Sequence, residues 1–311
     1  MAEPVQLRTD MSANIDQIKT AAAGWSIEVT PNGAQKIDSF AACLAPGSTV
    51  NVTFLPGSDP MDTVAVAQRL YQDGMRPVPH IAARSIRDGD QLDGLLALLV
   101  RDAAVDEVLV IGGGVDRPVG AFDCSMQILE SGVLQKHGVR RVGVAGHPEG
   151  SPDITDEDIA AALDAKNAIA QRDGLDIYIE TQFCFEADLV LAWEKRIRAM
   201  GNRLPIHVGV PGPATIKTLF RFAQISGIGP STRFISKQAR NVTKLMTVQS
   251  PHLLLAGLAW GMAADPDCLI AHFHFYPFGG FAKTAAYADA VAHGQIRLLP
   301  KGGFDVLPPA A

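Results

Sequence analysis

Residues 140–183 read RRVGVAGHPEGSPDITDEDIAAALDAKNAIAQRDGLDIYIETQF. Two β-rich runs, RRVGVA at 140–145 and DIYIETQF at 176–183, bracket one stretch with helical spacing. That stretch starts at Thr155, with Asp158 three residues on as an imperfect capping box, and ends near Gly174. Strand, helix and strand in succession lay the two strands parallel through a right-handed crossover.

The same alternation runs outward in both directions. Further β-rich runs fall at 26–30 (SIEVT), 49–55 (TVNVTFL), 76–82 (RPVPHIA), 107–111 (EVLVI), 205–210 (PIHVGV) and 269–276 (LIAHFHFY), which makes eight in all. Helical spacing recurs between them, for instance at 62–73 and 90–100. Eight such units in 311 residues predict a (β/α)8 TIM barrel. An open doubly wound sheet is the alternative, because strand order is not written in a single sequence. About 25 residues precede the first run and nearly 60 separate the seventh from the eighth, so an N-terminal extension and extra helices are expected there. No repeat, low-complexity tract or linker divides the chain, and residues 1–311 read as a single domain.

Composition narrows the function. Hydrophobic residues make up 47% and charged residues 19%, a globular balance that excludes disorder for most of the chain. The 27 basic and 33 acidic residues leave a formal charge of −6, with none of the basic footprint that nucleic-acid binding needs. Cys43, Cys124, Cys184 and Cys268 form no Cys-x-x-Cys pair, which argues against structural zinc or a disulfide scaffold and fits a reducing cytoplasm. The N-terminal MAEPVQLRTDMSANIDQ has no apolar core of a secretory leader. The longest apolar run, the 12 residues from Leu253 to Ala264, would rise only ~18 Å as a helix. A bilayer core needs roughly 30 Å, so the run reads as a buried helix and no membrane span is expected.

In a barrel the chemistry sits at the C-terminal ends of the strands. That rule selects Glu28, Thr53, His80, the Gly112–Gly113–Gly114 turn, His147, Thr181–Gln182, and His272 with His274. Glu28 lies between Ile27 and Val29, which share the opposite face of the strand. A carboxylate facing the barrel interior is costly unless paired or used, whereas one facing solvent is ordinary. His80 is equally a packing residue or a ligand-binding one. The glycine triplet lets backbone N–H groups approach a phosphate or a flat ring, or simply makes a tight rim turn; it lacks the spacing of a Rossmann fingerprint. Lys166 falls within the apolar stripe of Ile159, Leu163 and Ala170, so it either snorkels or meets an anion. His272 and His274 point the same way and could serve a metal-dependent hydrolase, given further ligands.

Taken in order, these segments resemble the catalytic barrel of the methylenetetrahydrofolate reductases. Glu28 in IEVTP matches the family's first-strand acid, and Val52–Thr53–Phe54 resembles its Val-Thr-Tyr. Pro79–His80–Ile81 is similar to Pro-His-Leu, and VAGHPEG at 144–150, followed by Pro152, to Val-Ala-x-Tyr-Pro-Glu. Residues 180–185, ETQFCF, correspond to Ile-Thr-Gln-Phe-x-Phe, and Phe273 to Tyr276 reproduce Phe-His-Phe-Tyr. The resemblance covers roughly residues 25 to 290.

It implies hydride transfer between NADH or NADPH and the pair 5,10-methylenetetrahydrofolate and 5-methyltetrahydrofolate, usually through bound FAD. Glu28 would be the general acid that assists opening of the imidazolidine ring. Gln182, Phe183, Ile216 and Lys283 would contact the folate. Thr53, His80, Gly112, Gly113, Gly114, Asp116, His147 and Lys166 would line the flavin, with Lys166 near its phosphates. The expected partner is a small-molecule folate, without nucleic acid or membrane; self-association and the direction of the reaction stay open.

The match is imperfect after the fourth run. The family's Arg-Gly-Asp-Pro is replaced by Gly112–Gly113–Gly114–Val115–Asp116–Arg117–Pro118, and its tyrosine before Pro-Glu by His147. Flavin-independent transfer straight from the nicotinamide is therefore the alternative within the same reaction. A non-catalytic folate-binding or flavin-binding barrel is a third reading, which the presence of both Glu28 and Gln182 disfavours.

Overall fold

The computed structural model describes residues 13–151, 154–225 and 246–308. Eight strands form a closed barrel: β1 Ser26–Val29, β2 Thr49–Val52, β3 Arg76–Ala82, β4 Glu107–Ile111, β5 Arg141–Gly146, β6 Asp176–Phe183, β7 Ile206–Pro211 and β8 Ile270–Tyr276. Each pairs in parallel with its neighbours in the chain, and β1 pairs with β8 to close the ring. The chain is a (β/α)8 TIM barrel, and the open-sheet alternative is excluded.

The strands fall where alternation placed them, except that β2 stops at Val52 rather than at residue 55. Pro56 and Gly57 (φ +78°) turn the chain there, with Ser58 N–H donating to the Leu55 carbonyl at 3.0 Å. The helix Asp156–Asp173 begins at Thr155, whose hydroxyl accepts from the Asp158 amide at 3.2 Å. It ends at Gly174, in the left-handed conformation that glycine adopts without strain.

Outward-facing residues such as Ile27, Val29, Val208, Val210, Phe273 and Phe275 join the helices in one large core. Helix Ile15–Ala22, capped by a reciprocal Asn14–Gln17 box, forms the N-terminal extension and packs on helices His252–Ala264 and Phe281–Ala292. The apolar run 253–264 is a helix whose Leu254, Leu255, Leu258 and Ala259 are buried. No helix of the described residues is long and apolar enough to cross a membrane. Between β7 and β8 lie helix Ile216–Ile225 and a two-stranded antiparallel pair, Ala214–Thr215 with Val248–Gln249.

Candidate active site

The barrel interior holds several buried polar side chains, among them Ser26, Asn51, His80, Glu180, His207 and His274. Asn51 on β2 donates to Glu180 Oε1 on β6 at 2.7 Å, a bond between strands that are not neighbours and so must cross the interior. On β8, His274 is fully buried, and its Nδ1 lies 2.8 Å from Ser26 Oγ and 3.5 Å from Glu180 Oε2. Its Nε2 faces Glu28 Oε2 at 3.9 Å. Glu28 therefore projects inward, while Ile27 and Val29 pack outward as strand alternation requires.

Electrostatics follow from this enclosure. Burial alone would lower His274, but the Glu180 and Glu28 carboxylates outweigh it and raise the imidazole above its ordinary value. Burial pushes Glu180 up to about 7, reinforced by Glu28 and opposed by His274 and Asn51. His80, also inside, is pushed down to about 4 by burial, against the pull of Glu28. It is thus neutral near pH 7, and its Nε2 is buried without a hydrogen-bond partner.

The end of β6 carries a bulge. Glu180 pairs with His207 and Phe183 with Gly209, so three steps on β6 meet two on β7. Gly209 makes room for it: a Cβ there would stand 2.6 Å from both the Thr181 and Gln182 carbonyl oxygens. The Gly209 amide donates to Thr181 Oγ1 at 2.8 Å, and the Tyr276 hydroxyl donates to the Thr181 carbonyl at 3.0 Å. Gln182 is half-buried at this irregular turn, where bulges characteristically redirect side chains. Phe183 and Ile216 are buried, together with Leu219, in a second small cluster against which Tyr276 and Phe278 pack. Lys283 is exposed in the first turn of the helix after β8.

The flavin-side candidates form a second group on β2 to β5. Thr53 follows β2, and its hydroxyl oxygen is buried without a partner. Gly113 (φ +96°) turns the chain after β4, and a Cβ there would lie 3.2 Å from Ala82 Cβ. Asp116 is exposed on the same loop. Lys166 is only 8% exposed, so of the two readings of its stripe position it does not snorkel, and burial pulls it down to about 8. His147 lies near enough to feel Lys166; burial first, then that charge, lowers it to about 4.

Three features were not singled out by sequence reasoning. Ser26, Asn51 and Glu180 are partners of His274 or of each other, and their spacing in the chain announces none of it. His272 and His274 do not converge on a common point: the His272 ring lies on His207, with centroids 3.6 Å apart, while His274 engages Ser26 and the carboxylates. Among the described residues no group of three or more His, Cys, Asp or Glu could hold a metal ion.

No family model matches the chain. Over 119 residues, 38% of its length, it is 30% identical to methylenetetrahydrofolate reductase 2 of Saccharomyces cerevisiae. That stretch spans 19% of the yeast protein's length. Among solved structures it is similar to an uncharacterized protein from Clostridium thermocellum described as binding two copies of 5-methyl-5,6,7,8-tetrahydrofolic acid. The TM-score is 0.50 with 12% identity, over 90% of this chain and 99% of that one. Dihydropteroate synthase from Thermus thermophilus follows with a TM-score of 0.43 and 15% identity, over 86% of this chain and 91% of that one. At 12% identity the likeness to the Clostridium protein shows the fold alone, a TIM barrel.

Proposed function

We propose that the chain is a folate oxidoreductase that interconverts 5,10-methylenetetrahydrofolate and 5-methyltetrahydrofolate with a nicotinamide nucleotide. The observation that carries the reading is the inward Glu28 facing buried His274, in a barrel whose sequence matches a methylenetetrahydrofolate reductase in part. A carboxyl group in such an enclosure can hold a proton and release it to a ring nitrogen, the role of a general acid in opening the imidazolidine ring. The ring-opened iminium then accepts hydride at carbon. Gln182, at the redirected end of β6, offers both a donor and an acceptor to a pterin edge.

The β2–β5 side fits a flavin. Two buried polar atoms without partners, Thr53 Oγ1 and His80 Nε2, stand ready for hydrogen bonds, and Lys166 is a buried cation suited to a phosphate. In this reading Thr53, His80, Gly112, Gly113, Gly114, Asp116, His147 and Lys166 hold FAD, with Lys166 on its phosphates. Bound there, FAD supplies hydride carriage between the nicotinamide and the folate. A second reading, direct transfer from nicotinamide to folate, is favoured by the glycine triplet that stands directly after β4 where the reductases carry Arg and Asp.

The test is Glu28→Gln. Folate turnover should fall by about 10²–10⁴-fold while folate binding, read by calorimetry, stays within a few-fold. Turnover equal to the wild type removes Glu28 from the acid role.

A further inference from the structure

Glu180 is buried at 4% exposure, and the folate reading gives it no task. Its Oε1 is occupied by Asn51, while its Oε2 is buried without a hydrogen-bond partner and faces His274 Nδ1 at 3.5 Å. Glu28 faces the other nitrogen of the same ring at 3.9 Å. Two carboxyl groups therefore flank one imidazole inside the barrel. Net charge is costly in such a place, so one imidazolium balances one carboxylate and the other carboxyl group keeps a proton. The remaining titratable neighbours of this cluster do not supply a second cation. His80, His207 and His272 are all held neutral, burial being the largest cause for each. Tyr276, Tyr178 and Glu107 contribute no positive charge, and Arg141 is engaged by Glu107 and Asp176.

Glu180 also faces a second compartment. A cavity of about 800 Å³ opens at the N-terminal end of the barrel, lined by Ser26, Asn51, Glu180, His207 and His272, with Arg76 among its rim residues. This is the end opposite the loops that carry the folate and flavin candidates.

We propose that Glu180 is a positioning residue of the acid site. With His274 and Glu28 it forms a triad that holds two protons, one on the ring and one on a carboxyl group, and that exchanges them with solvent through the N-terminal cavity. The proton that Glu28 gives up in the reaction can then be replaced along the triad from the N-terminal side. The use made of that proton rests on the folate reading, whereas the triad itself rests on geometry.

The experiment is a histidine NMR titration of the purified protein, with the His274 resonance assigned by its loss in His274→Asn. Replacing Glu180 by Gln should lower the apparent pKa of His274 by about one unit, a tenfold loss of proton affinity, while Glu180→Asp keeps most of it. Glu180→Ala should show the same loss, and formate, small enough to enter from the N-terminal mouth, should reverse it where chloride does not. An unmoved titration in Glu180→Gln, or a loss in Glu180→Ala that formate leaves in place, overturns the triad. If the titrations move as expected but no form of the protein turns over methylenetetrahydrofolate, the folate reading fails and the triad stands.

Discussion

Lys166 shows how one side chain ties stability to function. A lysine lowered to about 8 binds its proton less well in the folded chain than in the unfolded one. The unfolded state therefore holds more protons between about pH 8 and 10.5, and stability rises with pH across that window. Below pH 8 the buried charge is a burden that only an anion relieves. Lys166→Met should raise the thermal midpoint at pH 7 by a few degrees and flatten its rise between pH 8 and 10. The same variant should bind ADP, a probe for the phosphate end of a dinucleotide, at least about tenfold more weakly. A midpoint unchanged at both pH values would show that Lys166 reaches solvent. Its place within the stripe of Ile159, Leu163 and Ala170 was legible, whereas its burial and its depressed proton affinity depended on what packs around it.

At the level of elements, the junction of β6 and β7 does most to shape the site. The period-2 pattern of DIYIETQF runs unbroken on paper, yet the pairing skips a residue between Glu180 and Phe183. The skip depends on Gly209 of the neighbouring strand, whose lack of a side chain admits two carbonyl oxygens. Gly209→Ala should therefore force the bulge to shift, lowering stability by about 1–3 kcal/mol, as overpacking does. In the folate reading affinity for folate should weaken as well, because Gln182 lies within that bulge. A variant with wild-type stability and affinity would mean that the strand absorbs the methyl group elsewhere. Strand existence was readable from β-rich runs and helix ends from Thr155 and Gly174, since these signals are local. The bulge was not, because it arises from the fit of two strands.

Across the whole molecule, the two mouths of the barrel are chemically distinct. The C-terminal mouth gathers Glu28, Gln182, the glycine turn and Lys166 from strands β1, β6, β4 and the helix after β5. The N-terminal mouth holds the cavity beneath Glu180. An absorption spectrum of the purified protein reports what fills the first. Flavin bands, released on denaturation in near-equimolar amount, are the expected outcome. A colourless protein that still reduces methylenetetrahydrofolate would establish direct hydride transfer instead.

From its sequence alone the chain declared a (β/α)8 barrel and put Glu28 and Lys166 on the short list, one by strand alternation and one by a helical stripe, leaving open which way Glu28 faced and whether Lys166 snorkelled. Each of these is carried by periodicity, which the backbone imposes on residues close in the chain. Closure of the ring, the bulge at Gln182, and the meeting of Glu28 and Glu180 around the His274 imidazole came only with the tertiary structure. Those three residues are separated by 94 or more positions, and no local rule relates them. Their protonation is set by shared burial and mutual charge, which exist only once the barrel has closed.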